Sequence, residues 1–265
     1  TLGFKGMRLK DKVVVVTGST SGIGEAIARR SVVEGARVLV HGLEPDLGEA
    51  VVSSLGEAAV LHIDDLGDAE AAPRIVEAAL QAVGRIDALV NNAARVHRST
   101  IEDTDAATFD AVVSVNTRAP LLLIRAALAE LGRARGAVLN IGSVNAWCGE
   151  PTFVAYSASK GALMTLTRNL GDTLHRERGV RINQINPEWV LTEGEKRVQE
   201  RQGNPPDWHE KLPREWAPSG RLILPEEIAA AAVYWIGDES RPISGSVVDL
   251  GQFPVIGRNP PKVIR

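Results

Sequence analysis

Short β-branched runs alternate with longer helical patterns along almost the whole chain, and this rhythm restricts the fold more than any other feature. The apolar runs fall at 12–16, 37–41, 59–63, 88–91, 137–141, 181–185 and 247–250. Helical patterns occupy 22–34, 46–55, 69–83, 105–131, 153–178 and 225–236 between them. Nearly continuous apolar strands separated by helices belong to a parallel sheet covered on both faces. Right-handed crossovers then give an α/β, doubly wound, Rossmann-type sheet of seven parallel strands. A chain of 265 residues fits one such domain, expected over 7–265. Residues 1–6 precede Met7 and lack an apolar signal core, so Met7 is read as the native start.

The rhythm breaks once, over 191–224, a stretch rich in Glu, Arg, Pro and Trp. An excursion of this size near the carboxyl ends of the strands is expected to form a substrate lid, the alternative being a solvated surface loop. A formal net charge of -3 gives no electrostatic reason to expect nucleic acid or a membrane surface as partner. No stretch approaches the roughly 18 apolar residues of a membrane span. The single cysteine, Cys148, forms no intrachain disulfide and is compatible with a reducing cytoplasm. The five histidines are scattered, and no metal site is expected.

Immediately after the first strand comes Thr17-Gly18-Ser19-Thr20-Ser21-Gly22-Ile23-Gly24. Glycines let the backbone turn tightly and approach a pyrophosphate, while the following helix offers it free N–H groups and a positive dipole end. Between a strand and a helix this cluster is a specific signal for a dinucleotide. Tyr156 and Lys160 lie four apart in a helical pattern and share one face. A phenol with an ordinary pKa of about 10 needs roughly 4 kcal/mol of differential stabilisation to titrate near 7. A neighbouring ammonium and an oxidised nicotinamide are charges of the right sign to supply it.

The T-G-x-x-x-G-x-G spacing resembles the classical short-chain dehydrogenase/reductase family, as do Asn91-Asn92-Ala93-Ala94, Asn116, Ser143 and Tyr156-Ser157-Ala158-Ser159-Lys160, in that order. The resemblance runs from Arg8 to about Leu250. It implies an oxidoreductase interconverting an alcohol and a carbonyl, with Asn116, Ser143, Tyr156 and Lys160 as the catalytic set. Tyr156 would move the hydroxyl proton, and Ser143 would hold the substrate oxygen. Lys160 would reach the nicotinamide ribose, and Asn116 would anchor a water relaying protons from Lys160 to solvent.

The same resemblance assigns cofactor contacts to Gly18, Ser21, Gly22, Ile23 and Gly24, and to Gly42, Leu43, Asp65, Leu66, Asn92, Ala93, Tyr156, Lys160, Pro187, Val190 and Thr192. Asp64 leaves the Asp65–Leu66 register open by one. At Gly42 the family's NAD-binding members carry an acidic residue, and at Leu43 many NADP-binding members carry arginine; neither is present here. The absence of Lys or Arg at Ser19–Ser21, together with nearby Glu44, favours NAD over NADP. Pro187-Glu188-Trp189-Val190-Leu191-Thr192 departs from the family's P-G-x-x-x-T at Glu188, whose carboxylate faces either the substrate or solvent.

Three segments surround the expected substrate position. The first holds Arg95, His97 and Arg98, the second Asn145, Trp147 and Glu150, and the third Arg197, Arg201, Trp208, His209, Lys211, Arg214 and Trp216. With Ser143, Tyr156, Glu188 and Trp189 they favour a small polar or anionic substrate: a sugar, sugar acid or polyol. The alternatives are a 3-oxoacyl-thioester reductase and a non-catalytic dinucleotide-binding regulator. The family resemblance further implies a homotetramer.

Overall fold

The computed structural model describes residues 7–255. The expected upstream segment 1–6 and the last ten residues of the expected domain lie outside it. Seven strands form one parallel sheet in the order β3-β2-β1-β4-β5-β6-β7. They are β1 (Val13–Val16), β2 (Arg37–Gly42), β3 (Ala59–Ile63), β4 (Ala88–Asn91), β5 (Ala137–Ile141), β6 (Arg181–Pro187) and β7 (Val247–Leu250). The strand order reverses between β1 and β4, which opens a crevice beyond their carboxyl ends.

Both faces of the sheet are covered, and the side chains of one strand feed both. Val14 and Val16 pack into a core with α1 (Gly22–Val33) and α9 (Pro225–Ile236). Val15 points the other way, into a core with α3 (Ala71–Val83) and α5 (Ala119–Ala134). A strand buried on both faces has no polar side to alternate with, which is why β1 reads simply VVVV. The remaining helices are α2 (Pro45–Leu55), α4 (Ala106–Val113), the short α6 (Asn145–Cys148), the long α7 (Val154–Arg178) and α8 (Glu193–Arg201).

Two elements differ from expectation. The helix expected over 105–131 is divided by a π turn at Ser114–Arg118. Pro120, four residues beyond Asn116, has no N–H to give the Asn116 carbonyl, so the α-helical bond cannot form there. The composite stretch Ala106–Ala134, with mean hydropathy 1.3, is also long and apolar enough to cross a membrane, contrary to the sequence expectation. Its Leu123, Ile124, Ala127 and Leu131 are spent on the core with α3 and the sheet.

The 191–224 excursion closes on itself. Val190 pairs with Ile223, and Leu191 N–H donates to the Ile223 carbonyl at 2.8 Å. Within it, Thr192 caps α8 by accepting from Glu195 N–H. Trp208 is buried and stacks on Trp189 at 5.2 Å between ring centres.

Candidate active site

The glycine turn is shaped at three points. Gly18 has φ +60°, and a Cβ on it would stand 2.8 Å from Ala93 Cα. Gly22 has φ +59°. A Cβ on Gly24 would lie 2.1 Å from the Gly18 carbonyl oxygen and 2.4 Å from Asn92 Nδ2. No larger residue fits at Gly18 or Gly24 without displacing backbone. Asn92 and Ala93 hold the turn from the β4 side. Thr17 Oγ1 accepts from their N–H groups at 3.0 and 3.1 Å, and Asn92 Nδ2 donates to the Thr17 and Gly18 carbonyls at 2.9 Å each. Ser21 starts α1 without a capping bond from its hydroxyl, and Ile23 packs partly against the core. The cradle fits the pyrophosphate of a dinucleotide, with N–H groups of α1 facing the anion.

Sequence reasoning missed His41. Its Nδ1 accepts from Gly18 N–H at 3.3 Å, and its backbone exchanges hydrogen bonds with Ser19. Burial, with His62 beside it, lowers its pKa to about 4, so the neutral ring with a free Nδ1 lone pair is the working form.

At the adenosine end, Gly42 is glycine for a local reason. A Cβ there would meet Thr20 Cγ2 at 2.4 Å. Thr20 Oγ1 donates to the Glu44 carboxylate at 3.2 Å, which places an acid next to the position the family uses. Leu43 is exposed. Asp64 is committed to Arg74 by two bonds of 2.7 Å, and this arginine holds its carboxyl down at about 2. Asp65 accepts from Gly67 N–H, and Leu66 is buried.

The catalytic candidates converge from β5, α7 and the π turn. Ser143 follows β5 and lies close enough to the Tyr156 phenol to favour its ionised form. Asn145 N–H donates to Ser143 Oγ at 3.2 Å. Lys160 is buried one turn along α7 from Tyr156, donates to the Ile141 carbonyl at 2.7 Å, and lies 5.7 Å from the centre of the Tyr156 ring. Burial raises the Tyr156 pKa to about 12, opposed by Ser143 and helped by Glu150. Burial alone lowers Lys160 to about 8. The lowering is expected from Lys160 together with an oxidised nicotinamide; in the protein by itself burial dominates and the phenol stays high.

Asn116 is buried, and its side chain takes both backbone groups of Arg95: Oδ1 accepts from N–H at 2.7 Å and Nδ2 donates to the carbonyl at 3.1 Å. Nδ2 also donates to Ser159 Oγ at 3.0 Å. Ser159 in turn donates to the Tyr156 carbonyl, a link that its position inside Tyr-Ser-Ala-Ser-Lys could have suggested.

Of the other expected contacts, Pro187 and Val190 are buried. The Thr192 methyl faces Gly22, 3.5 Å from where a Cβ there would sit. Arg95 is exposed beside the site. Glu188 turns toward the end of β7, where its carboxylate accepts from Gln252 N–H at 2.8 Å. Trp189 donates to Glu195 at 2.9 Å and stacks on Trp208, which is buried. Lys211 pairs with Asp207, and Arg214 donates to the Pro218 carbonyl, which ties these two cations locally.

Comparison with known proteins agrees with this geometry. The family model described as short chain dehydrogenase matches residues 12–203. The chain is 34% identical over 243 residues to 2-(S)-hydroxypropyl-CoM dehydrogenase 3 of Xanthobacter autotrophicus, covering 90% of this chain and 94% of that one. It is 35% identical over 251 residues to D-threitol dehydrogenase of Mycolicibacterium smegmatis, covering 92% and 94%. The crystal structure of 3-ketoacyl-(acyl-carrier-protein) reductase from Brucella melitensis complexed with NADH superposes with TM-score 0.81 at 28% identity, covering 91% of this chain and 97% of that one. The chain belongs to the short chain dehydrogenase family and is an oxidoreductase acting on CH–OH groups with a nicotinamide cofactor.

Proposed function

We propose that this oxidoreductase interconverts a secondary alcohol, or sugar hemiacetal, and its carbonyl in a sugar, sugar acid or polyol, with NAD as the preferred cofactor. The observation that carries the chemistry is the Tyr156 phenol with Ser143 close enough to lower its pKa and buried Lys160 one helical turn away. When bound, the nicotinamide ring supplies the hydride acceptor or donor and, when oxidised, a positive charge. Ser143 holds the substrate oxygen, and Tyr156 takes the hydroxyl proton in oxidation or returns it in reduction. Lys160 would hold the ribose hydroxyls of the bound cofactor, and its ammonium would favour the phenolate. Asn116, whose carbonyl cannot take the α-helical bond from Pro120, would anchor the relay water.

Polar groups next to the site, Arg95 and Asn145, and the likeness to a D-threitol dehydrogenase support a polyol-type substrate. Thr20 holding Glu44 supports NAD, because a 2′-phosphate there meets a carboxylate. The likeness to a 3-ketoacyl reductase favours a second reading, reduction of a 3-oxoacyl thioester. Turnover of sugars, aldonates and polyols with NAD and NADP, run beside acetoacetyl thioesters, separates the two. Robust thioester reduction without any sugar or polyol oxidation overturns the first. We also propose a cytoplasmic homotetramer, for which a monomeric mass in solution is the contrary result.

A further inference from the structure

A line of buried polar side chains crosses the sheet directly behind Ser143. Asn91 Nδ2 donates to Asn140 Oδ1 at 2.8 Å, and Asn140 Nδ2 donates to Thr167 Oγ1 at 2.8 Å. The Thr167 hydroxyl shares its one proton between Gln184 Oε1 at 2.8 Å and the Leu163 carbonyl at 2.9 Å. Gln184 Nε2 donates to Asn186 Oδ1 at 2.7 Å. All five side chains are at most 3% exposed, a costly set to bury unless the bonds run in one consistent direction. The line ends at an exposed carboxylate on β7: Asn186 Nδ2 donates to Asp249 Oδ1 at 2.9 Å. A carboxylate can only accept, so Asp249 fixes which way the amides point.

Two arms lead from Asp249 to the turn that bears Ser143. Through the first, Asn186 and Gln184 press on Gly142: a Cβ there would lie 2.0 Å from Asn186 Oδ1 and 2.3 Å from Gln184 Nε2. Through the second, Asp249 Oδ1 also accepts from Trp147 Nε1 at 2.9 Å. The other side of that indole is held by Arg168 of α7, 5.2 Å from the ring centre. Trp147 lies in α6, whose first residue, Asn145, bonds Ser143 Oγ. Ser143 is thus gripped at the preceding residue and at the following helix by one carboxylate.

We propose that Asp249 is a positioning residue for the reaction, acting on Ser143 through the Asn186–Gln184 pair behind Gly142 and through Trp147 in α6. This rests on the reading of Ser143 as the holder of the substrate oxygen. In this proposal the effect of Asp249 passes through Ser143 rather than through direct contact with substrate or cofactor.

A double-mutant cycle tests it with D-threitol or meso-2,3-butanediol, whichever the wild type oxidises. Asp249→Ala is expected to lower kcat/KM by about tenfold with the NADH dissociation constant within twofold of wild type, and Asp249→Asn, which keeps an accepting oxygen, to recover most of the loss. In a Ser143→Ala background, Asp249→Ala should cost less than twofold. A full tenfold loss there, or no recovery in Asp249→Asn, overturns the proposal. Amide hydrogen exchange supplies a readout independent of activity. Asp249→Ala should speed exchange across 142–148 and leave the glycine turn at 17–24 unchanged, whereas unchanged exchange at 142–148 contradicts the proposal. If the wild type oxidises no alcohol, the proposed function fails while the exchange measurement still decides this one.

Discussion

Lys160 donates to the Ile141 carbonyl at 2.7 Å while lying 5.7 Å from the centre of the Tyr156 ring, so the two groups share a helix face without an ion pair between them. Burial moves their pKa values apart, down to about 8 for the lysine and up to about 12 for the tyrosine, where Glu150 adds to the rise. The pair is ready for proton transfer only when another charge favours the phenolate. Ultraviolet difference titration of wild type against Tyr156→Phe should show no Tyr156 ionisation below about pH 10.5 without cofactor. With saturating NAD, kcat/KM for oxidation should rise with pH through an apparent pKa at least two units lower. A phenol ionising near neutrality without cofactor contradicts this account.

Glu44 is held beside the adenosine end by Thr20. Glu44→Gln removes the repulsion of a 2′-phosphate and should raise the ratio of NADP to NAD efficiency by about tenfold. An unchanged ratio places the carboxylate too far away to select the cofactor.

His41 ties acid stability to the glycine turn. Its folded pKa of about 4 lies below the ordinary 6.5, so the unfolded chain binds more protons between those values. Stability is therefore lost as pH falls through that window, and fully kept above about 6.5. At 1.36 kcal/mol per unit the loss is roughly 3 kcal/mol. Urea unfolding at pH 7 and pH 4 should show this extra acid sensitivity in wild type and not in His41→Asn, whose amide oxygen still accepts from Gly18. Equal acid loss in both proteins rejects the assignment.

Glu188 fastens the segment after β7, where Gln252 also holds Ser219 and the Arg221 carbonyl of the lid base. Glu188→Gln should change kcat/KM by less than threefold, whereas Glu188→Ala should lower stability by about 1–2 kcal/mol as the Gln252 N–H loses its partner. A hundredfold fall in kcat/KM for Glu188→Gln would instead place the carboxylate on the substrate.

Sequence made the sheet legible because strands buried on both faces need unbroken β-branched runs, and because the glycines of the turn are demanded by backbone contact. Tyr156 and Lys160 were legible through their helical spacing, and Ser143 through the family resemblance. The π turn at Asn116 was not, although Pro120 was its signal, because a proline within an apolar helical run marks a disturbance without saying which. Contacts between distant segments left no periodicity to read: Glu188 to Gln252, Gly18 to His41, and the amide line ending at Asp249. The stacking of Trp189 on Trp208 was not legible either, because an aromatic has the same composition signal whether it faces a ligand or another ring.

The most direct test of the account is Tyr156→Phe, which removes one oxygen from the site. Steady-state oxidation of the best sugar or polyol substrate should fall at least a thousandfold in kcat, while the NADH dissociation constant, read by fluorescence titration, stays within about twofold. Activity retained within tenfold of wild type would contradict Tyr156 as the proton-transferring group.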